Sequence, residues 1–96
     1  MQTSSKTVNG VFILALIDSR LDAKLAVTFR ETVEGVIESG QQAIAIDMGN
    51  VAFIDSSGLG AIVTCLKKLG PTGKLVLFGI NAPVAAMFKL DRKSVV

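Results

Sequence analysis

Val51-Ala52-Phe53-Ile54-Asp55-Ser56-Ser57-Gly58-Leu59-Gly60 is an apolar stretch that breaks on three small polar residues and restarts with a different period. Beyond the break, Leu59, Ile62, Val63, Leu66 and Leu69 recur at three- and four-residue intervals and stop at Gly70-Pro71, the signature of a helix with one buried face. The same order precedes it. Leu25, Phe29, Val33 and Val36/Ile37 trace a helix of about 16 residues, stopped by Ser39-Gly40, and Ala43 to Met48 then reads as a buried strand ended by Gly49-Asn50. Downstream, Lys74 to Ile80 predicts another strand, and Asn81-Ala82-Pro83 opens a third helix held down by Val84, Met87 and Phe88. Proline is tolerated in that first turn because its missing N–H has no helical partner there. Upstream, Val11 to Ile17 is apolar on both faces, as a central strand should be. Asn9-Gly10 before it is a two-residue hairpin signal. It predicts a short first strand at Lys6-Thr7-Val8, with the polar segment from Met1 frayed. A hairpin followed by alternating helix and strand is an α/β fold with a mixed, mostly parallel sheet.

Ninety-six residues, half of them apolar and 19% charged, make one domain spanning residues 1–96. The longest apolar run, Val11 to Ile17, falls far short of the ~20 residues that cross a membrane, and Asp18-Ser19-Arg20 follows where a signal peptide would be cut. The expectation is a cytoplasmic protein with no membrane insertion. The absences narrow the chemistry further. With no histidine and one cysteine, the chain has no Ser-His-Asp or Cys-His catalysis, no internal disulfide and no thiolate zinc site. Cys65 falls in the apolar pattern and reads as core. Neither a carboxylate pair nor a metal cluster is evident, so the expectation is a non-enzyme without cofactor. Charge is uneven: residues 1–56 carry four Lys/Arg against seven Asp/Glu, and residues 57–96 carry six against one. The basic residues are dispersed over three elements, and without Trp or Tyr to stack on bases they read as a solvated face, with no direct nucleic-acid contact.

The polar break is where chemistry could reside. A helix N-terminus presents unpaired amides and the positive end of a dipole, and loops at the carboxyl ends of parallel strands are where open α/β sheets place their sites. No Lys follows Gly60, so the stretch is not a phosphate-binding loop of G-x-x-x-x-G-K type. As a dinucleotide fingerprint it lacks the third glycine, and as a nucleophile elbow it lacks both G-x-S-x-G and a base. A helix cap by Asp55 or Ser56, worth ~1 kcal/mol, accounts for the spacing. It is compatible with a second role for the neighbouring serine.

The stretch also resembles the signature of the STAS family, the anti-sigma factor antagonists, in which a hydrophobic residue precedes D-S-S/T-G-L. Three further segments resemble the family in the right order: Ser19-Arg20-Leu21-Asp22-Ala23 before the first helix, Ala45-Ile46-Asp47-Met48-Gly49-Asn50-Val51 at a strand end, and Leu75 to Val84 across a strand-to-helix step. The resemblance implies that Ser57 is phosphorylated by a partner serine protein kinase acting as anti-sigma factor. It also implies that a PP2C-type phosphatase reverses the step. Asp55 would orient the loop, Ser56 would cap or position it, and Asp22, Asp55, Ser56, Gly58 and Leu59 would form the partner-binding surface. Asp47 and Asn50 read as strand-end and turn residues. Unphosphorylated Ser57 would permit binding and the phosphate would end it. A second reading is a non-switching structural subunit of a signalling scaffold or a lipid-transport complex, with Ser57 as a cap only. Family members commonly continue through another strand and a C-terminal helix. The expectation is therefore an open edge at Ser94-Val95-Val96 through which a homodimer could form.

Overall fold

A computed structural model of the chain describes residues 2–88; the edge expected at Ser94-Val95-Val96 and the side chains of Met87 and Phe88 lie outside the described residues. The chain opens with strand β1 (Thr3–Val8) and strand β2 (Val11–Leu16), paired antiparallel with Val8 opposite Val11. Asn9 and Gly10 join them at φ 52° and 82°. Two successive left-handed residues give the turn the right-handed twist that a two-residue hairpin requires. β1 runs the length of β2, longer than the three residues expected, because every register position from Thr3↔Leu16 onward is paired. Its residues are nonetheless exposed on both faces.

Strand β3 (Arg20–Leu21) leads into helix α1 (Ala23–Glu38), strand β4 (Ala43–Asp47), strand β5 (Phe53–Ile54), helix α2 (Ser56–Leu69), strand β6 (Lys74–Phe78) and helix α3 (Ala82–Phe88). The main sheet has the order β1-β2-β4-β6, with the β2–β4 and β4–β6 pairs parallel. β3 and β5 form a separate two-stranded parallel sheet, pairing Arg20 with Phe53 and Leu21 with Ile54. Sequence periodicity misses this second sheet because two residues carry no period.

The core lies on one face of the main sheet. Leu14 and Leu16, Ile44 and Ile46, and Leu75 alternate inward and join Phe29 and Val33 of α1 and Ile62 and Cys65 of α2 in one buried cluster. Cys65 is fully buried, and loss of solvent around the thiol pushes its pKa up to about 11, so it acts as a small apolar side chain. The buried face of α2 is Gly58, Ala61, Ile62, Cys65 and Leu69. It is rotated from the expected stripe, leaving Val63 and Leu66 half-buried, because the small residues let α2 lie close to its neighbours. β2 is an inner strand between β1 and β4, as the apolar run from Val11 predicts, while the opposite face of the sheet is less covered than the core face. Ile13, Ala15, Ala45 and Val76 on that face are only half-buried, and Val8 and Phe78 are exposed.

Two turns lock the carboxyl end of the sheet. Asp47 Oδ1 accepts from the Gly49 N–H at 2.9 Å, and Asn50 Nδ2 donates to the Leu16 carbonyl at 3.4 Å. Asn81 Nδ2 donates to the carbonyls of Gly49 and Val51 at 3.0 and 2.9 Å. Asp47 and Asn50 are thus turn residues, as their strand-end positions imply.

Candidate functional site

The sequence places a carboxylate immediately before each of the first two helices, and the fold brings these two starts together. Asp22 and Asp55 are the N-caps of α1 and α2, with nearly identical extended backbones (φ −104°, ψ −174° and φ −108°, ψ −176°). Each follows one strand of the small parallel sheet, so the pairing of β3 with β5 sets the two caps side by side. Asp22 Oδ1 accepts from the Leu25 N–H at 3.2 Å. That bond, with a smaller contribution from Arg20, holds the Asp22 carboxyl below the usual carboxylate range despite partial desolvation. Its stabilisation is therefore present at neutral pH and disappears as pH falls through the lowered value.

Asp55 has a double function. Its Oδ1 accepts from the Gly58 N–H at 3.0 Å within its own helix, and its Oδ2 accepts from the Ala23 N–H of α1 at 3.2 Å. One carboxylate therefore caps two helices whose sequence positions are more than thirty residues apart. The cap expected of either Asp55 or Ser56 belongs to Asp55. Ser56 is the first helical residue, exposed, and no side-chain hydrogen bond fixes it among the described residues. Asp55→Ala should destabilise the fold by about 2 kcal/mol, at the upper end for a cap because two donors lose their acceptor. Asp55→Asn should recover only part, since its amide supplies one acceptor oxygen. Urea denaturation of the three proteins checks the order.

Ser57 is exposed in the first turn of α2. The Leu59 N–H is taken by the Asp55 carbonyl at 3.0 Å and the Gly58 N–H by the Asp55 carboxylate. The Ser56 and Ser57 amides meet no acceptor among the described residues. A hydroxyl here stands at the positive end of a fourteen-residue helix, where an added anion is tolerated. Leu59 is half-buried against the core. Gly58 is buried, with its α-carbon against the Leu21 carbonyl oxygen, so its place is in the packing beneath the surface and not on it.

Two neighbours were not among the expected site residues. Arg20 stacks over the Phe53 ring at 4.4 Å from its centroid and reaches Asp22 at 3.5 Å, and Phe53 itself is 41% exposed. The parallel phrases Arg20-Leu21-Asp22 and Phe53-Ile54-Asp55, each ahead of a helix, were the available signal. The side chains of α1 and α2 also leave a groove of about 340 Å³ between them. Ser57 and Ala23 stand at one end, buried Ala26 and Ala61 form its floor, and Arg30 and Thr64 close the far end. No helix among the described residues is long and apolar enough to cross a membrane.

Comparison with known proteins agrees with this architecture. The STAS domain family model matches residues 2–92. The anti-sigma-B factor antagonist of Staphylococcus aureus (strain NCTC 8325) is 26% identical over 85 residues, which cover 88% of this chain and 79% of that protein. A Thermotoga maritima protein, provisionally assigned as an anti-sigma factor antagonist, superposes with a TM-score of 0.84 at 28% identity, over 97% of this chain and 82% of that one. The phosphorylated form of the Bacillus cell-fate determinant SpoIIAA shares the fold, with a TM-score of 0.72 at 20% identity over 93% and 82% of the two chains.

Proposed function

The chain belongs to the STAS domain family, and from that premise we propose that it is an anti-sigma factor antagonist whose binding is switched by phosphorylation at Ser57. The observation that carries the reading is the placement of this hydroxyl. It is exposed, in the first turn of α2, beside a carboxylate that fixes the starts of two helices at once. Unmodified, Ser57 presents a neutral hydroxyl on a partly apolar surface with Leu59, Phe53 and the Asp22 carboxylate. A kinase-type anti-sigma factor docks there and transfers the γ-phosphoryl group of ATP to the Ser57 oxygen. The serine proton is released and ADP is the leaving product. The new phosphate brings ~−1.5 to −2 charges. The α2 amides and dipole accommodate it within this chain, so the fold is retained while the partner's matching surface is repelled. A phosphatase of PP2C type hydrolyses the ester and resets the protein.

Support comes from the relatives as well. The Staphylococcus aureus protein bears the antagonist name, and SpoIIAA, of the same fold, is known in a phosphorylated form. Nothing in the reading asks this chain for catalysis: the Asp55 carboxylate is engaged by two backbone N–H groups, and Ser57 acts as acceptor only.

The test is phosphoryl transfer itself. Incubation with the purified kinase-type anti-sigma factor of the source cell and ATP should add one phosphoryl group to the intact protein, located at Ser57 by fragmentation mass spectrometry. Ser57→Ala should take up none while still binding. Transfer to Ser56, or no transfer by a kinase that does bind, would sink the switch and leave Ser57 as part of a structural subunit.

A further inference from the structure

The groove between α1 and α2 has walls of alanine, glycine and valine, and Arg30 is the one charged residue among its lining. Arg30 Nε is buried and has no hydrogen-bond partner, and no carboxylate lies within 4 Å of the guanidinium among the described residues. Glu34, one turn further along α1, belongs to the same neighbourhood, since both side chains act electrostatically on Cys65, but it does not close the pair. Thr64 at the same end turns its hydroxyl back to donate to the Gly60 carbonyl at 2.9 Å. A buried N–H without an acceptor is unfavourable, and the rest of the Arg30 side chain is half-buried at the end of an open, mostly apolar slot. Gly60 is part of the same lining, and a Cβ there would meet nothing within 4 Å.

Resting on the reading that the partner docks at the α2 N-terminus, we propose that this groove receives an acidic side chain of that partner, whose carboxylate pairs with Arg30. The charge of the lining selects an anion. The Ala26 and Ala61 floor suits the methylene stem of a glutamate or aspartate, which a free inorganic phosphate lacks. The groove is also continuous with the switch, because Ser57 stands at its opposite end. A phosphate on Ser57 then places a dianion on the path of the incoming carboxylate. Repulsion from Ser57 thus falls on one defined group of the partner as well as on its general surface.

Calorimetric titration of the purified kinase-type anti-sigma factor against six proteins, Ser57→Asp among them, tests this. Relative to wild type, Arg30→Gln should weaken binding roughly 30-fold or more, the loss typical when one partner of a desolvated charge pair is truncated. Arg30→Lys, which keeps the charge but not the fork, should fall between. Gly60→Leu should fill the slot and weaken binding with the melting temperature maintained, which separates occupancy of the groove from any loss of fold in the Arg30 variants. Glu31→Gln, exposed on α1 and outside the groove, should bind as wild type. If Ser57→Asp abolishes binding while Arg30→Gln and Gly60→Leu bind normally, the groove proposal is overturned and the switch stands. If Arg30→Gln and Gly60→Leu lose binding while Ser57→Asp does not, the groove stands and the switch falls. Wild-type affinity in all of them overturns both.

Discussion

Ser57→Asp should weaken the complex with the kinase-type anti-sigma factor several hundredfold while leaving the protein as stable as wild type or slightly more so. The two readouts separate the causes. Aspartate in the first turn of α2 faces free amides and the positive helix end, which favours the folded chain by a few tenths of a kcal/mol to ~1 kcal/mol. In the proposed complex the same charge would be buried against a surface shaped for a hydroxyl. Unpaired desolvation and like-charge repulsion there amount to ~3–4 kcal/mol, or several hundredfold in Kd. Ser57→Ala should bind within a few-fold of wild type, because removing an exposed hydroxyl leaves no buried group unsatisfied. An aspartate variant that binds as tightly as the alanine variant would leave the serine with no switching role, and the structural-subunit reading would take its place.

Gly58→Ala should be strongly destabilising, because the obstruction is backbone and not the end of a flexible side chain. A Cβ on Gly58 would collide with the Leu21 carbonyl oxygen and would lie 2.9 Å from Ile54 Cγ1 and 3.0 Å from Leu21 Cγ. The obstructing oxygen belongs to backbone already engaged, since the Asp55 N–H donates to it at 3.4 Å. Relief requires moving α2 away from the small parallel sheet. Overpacking of this kind costs about 3 kcal/mol, which for a domain of this size lowers the melting temperature by roughly 15 °C. Gly60→Ala, two residues on, is the matched control. It meets open space and should gain up to ~1 kcal/mol from helix propensity alone. Thermal melts of opposite sign at Gly58 and Gly60 are the expected result. A neutral Gly58→Ala would mean that α2 can shift without cost and that the glycine is not a packing requirement.

Much of this arrangement could be read from residue order. The hairpin was legible because Asn9-Gly10 is a local code for two left-handed residues, and α1 was legible because its apolar spacing persists for four turns. The cap at the start of α2 was legible because Asp55-Ser56-Ser57-Gly58 is a short contiguous polar break between two apolar runs. What was not legible depends on distant pairings. The β3–β5 ladder is two residues long in each strand, below the length at which alternation means anything. The second donor of Asp55 is the Ala23 N–H, which no local pattern announces. The resemblance assigns Gly58 to the partner-binding surface along with the rest of its motif, and no local pattern announces that it is buried against the Leu21 carbonyl. The uncovered face of the sheet reads as buried in sequence because Ile13, Ala15 and Val76 are apolar, and composition does not tell half-burial from burial.

The shared cap has a consequence for when the serine becomes recognisable. Asp55 holds Ala23, and Arg20 pairs with Phe53, across separations that a folding chain closes late, whereas the Asn9-Gly10 hairpin can form within microseconds by itself. The presentation of Ser57 is therefore a product of the completed fold. A peptide covering residues 51–70 carries the same hydroxyl without the geometry, and a partly folded chain does the same. On the proposed reading, a kinase that reads this shape would act as a proofreader, marking finished molecules and passing over unfinished ones.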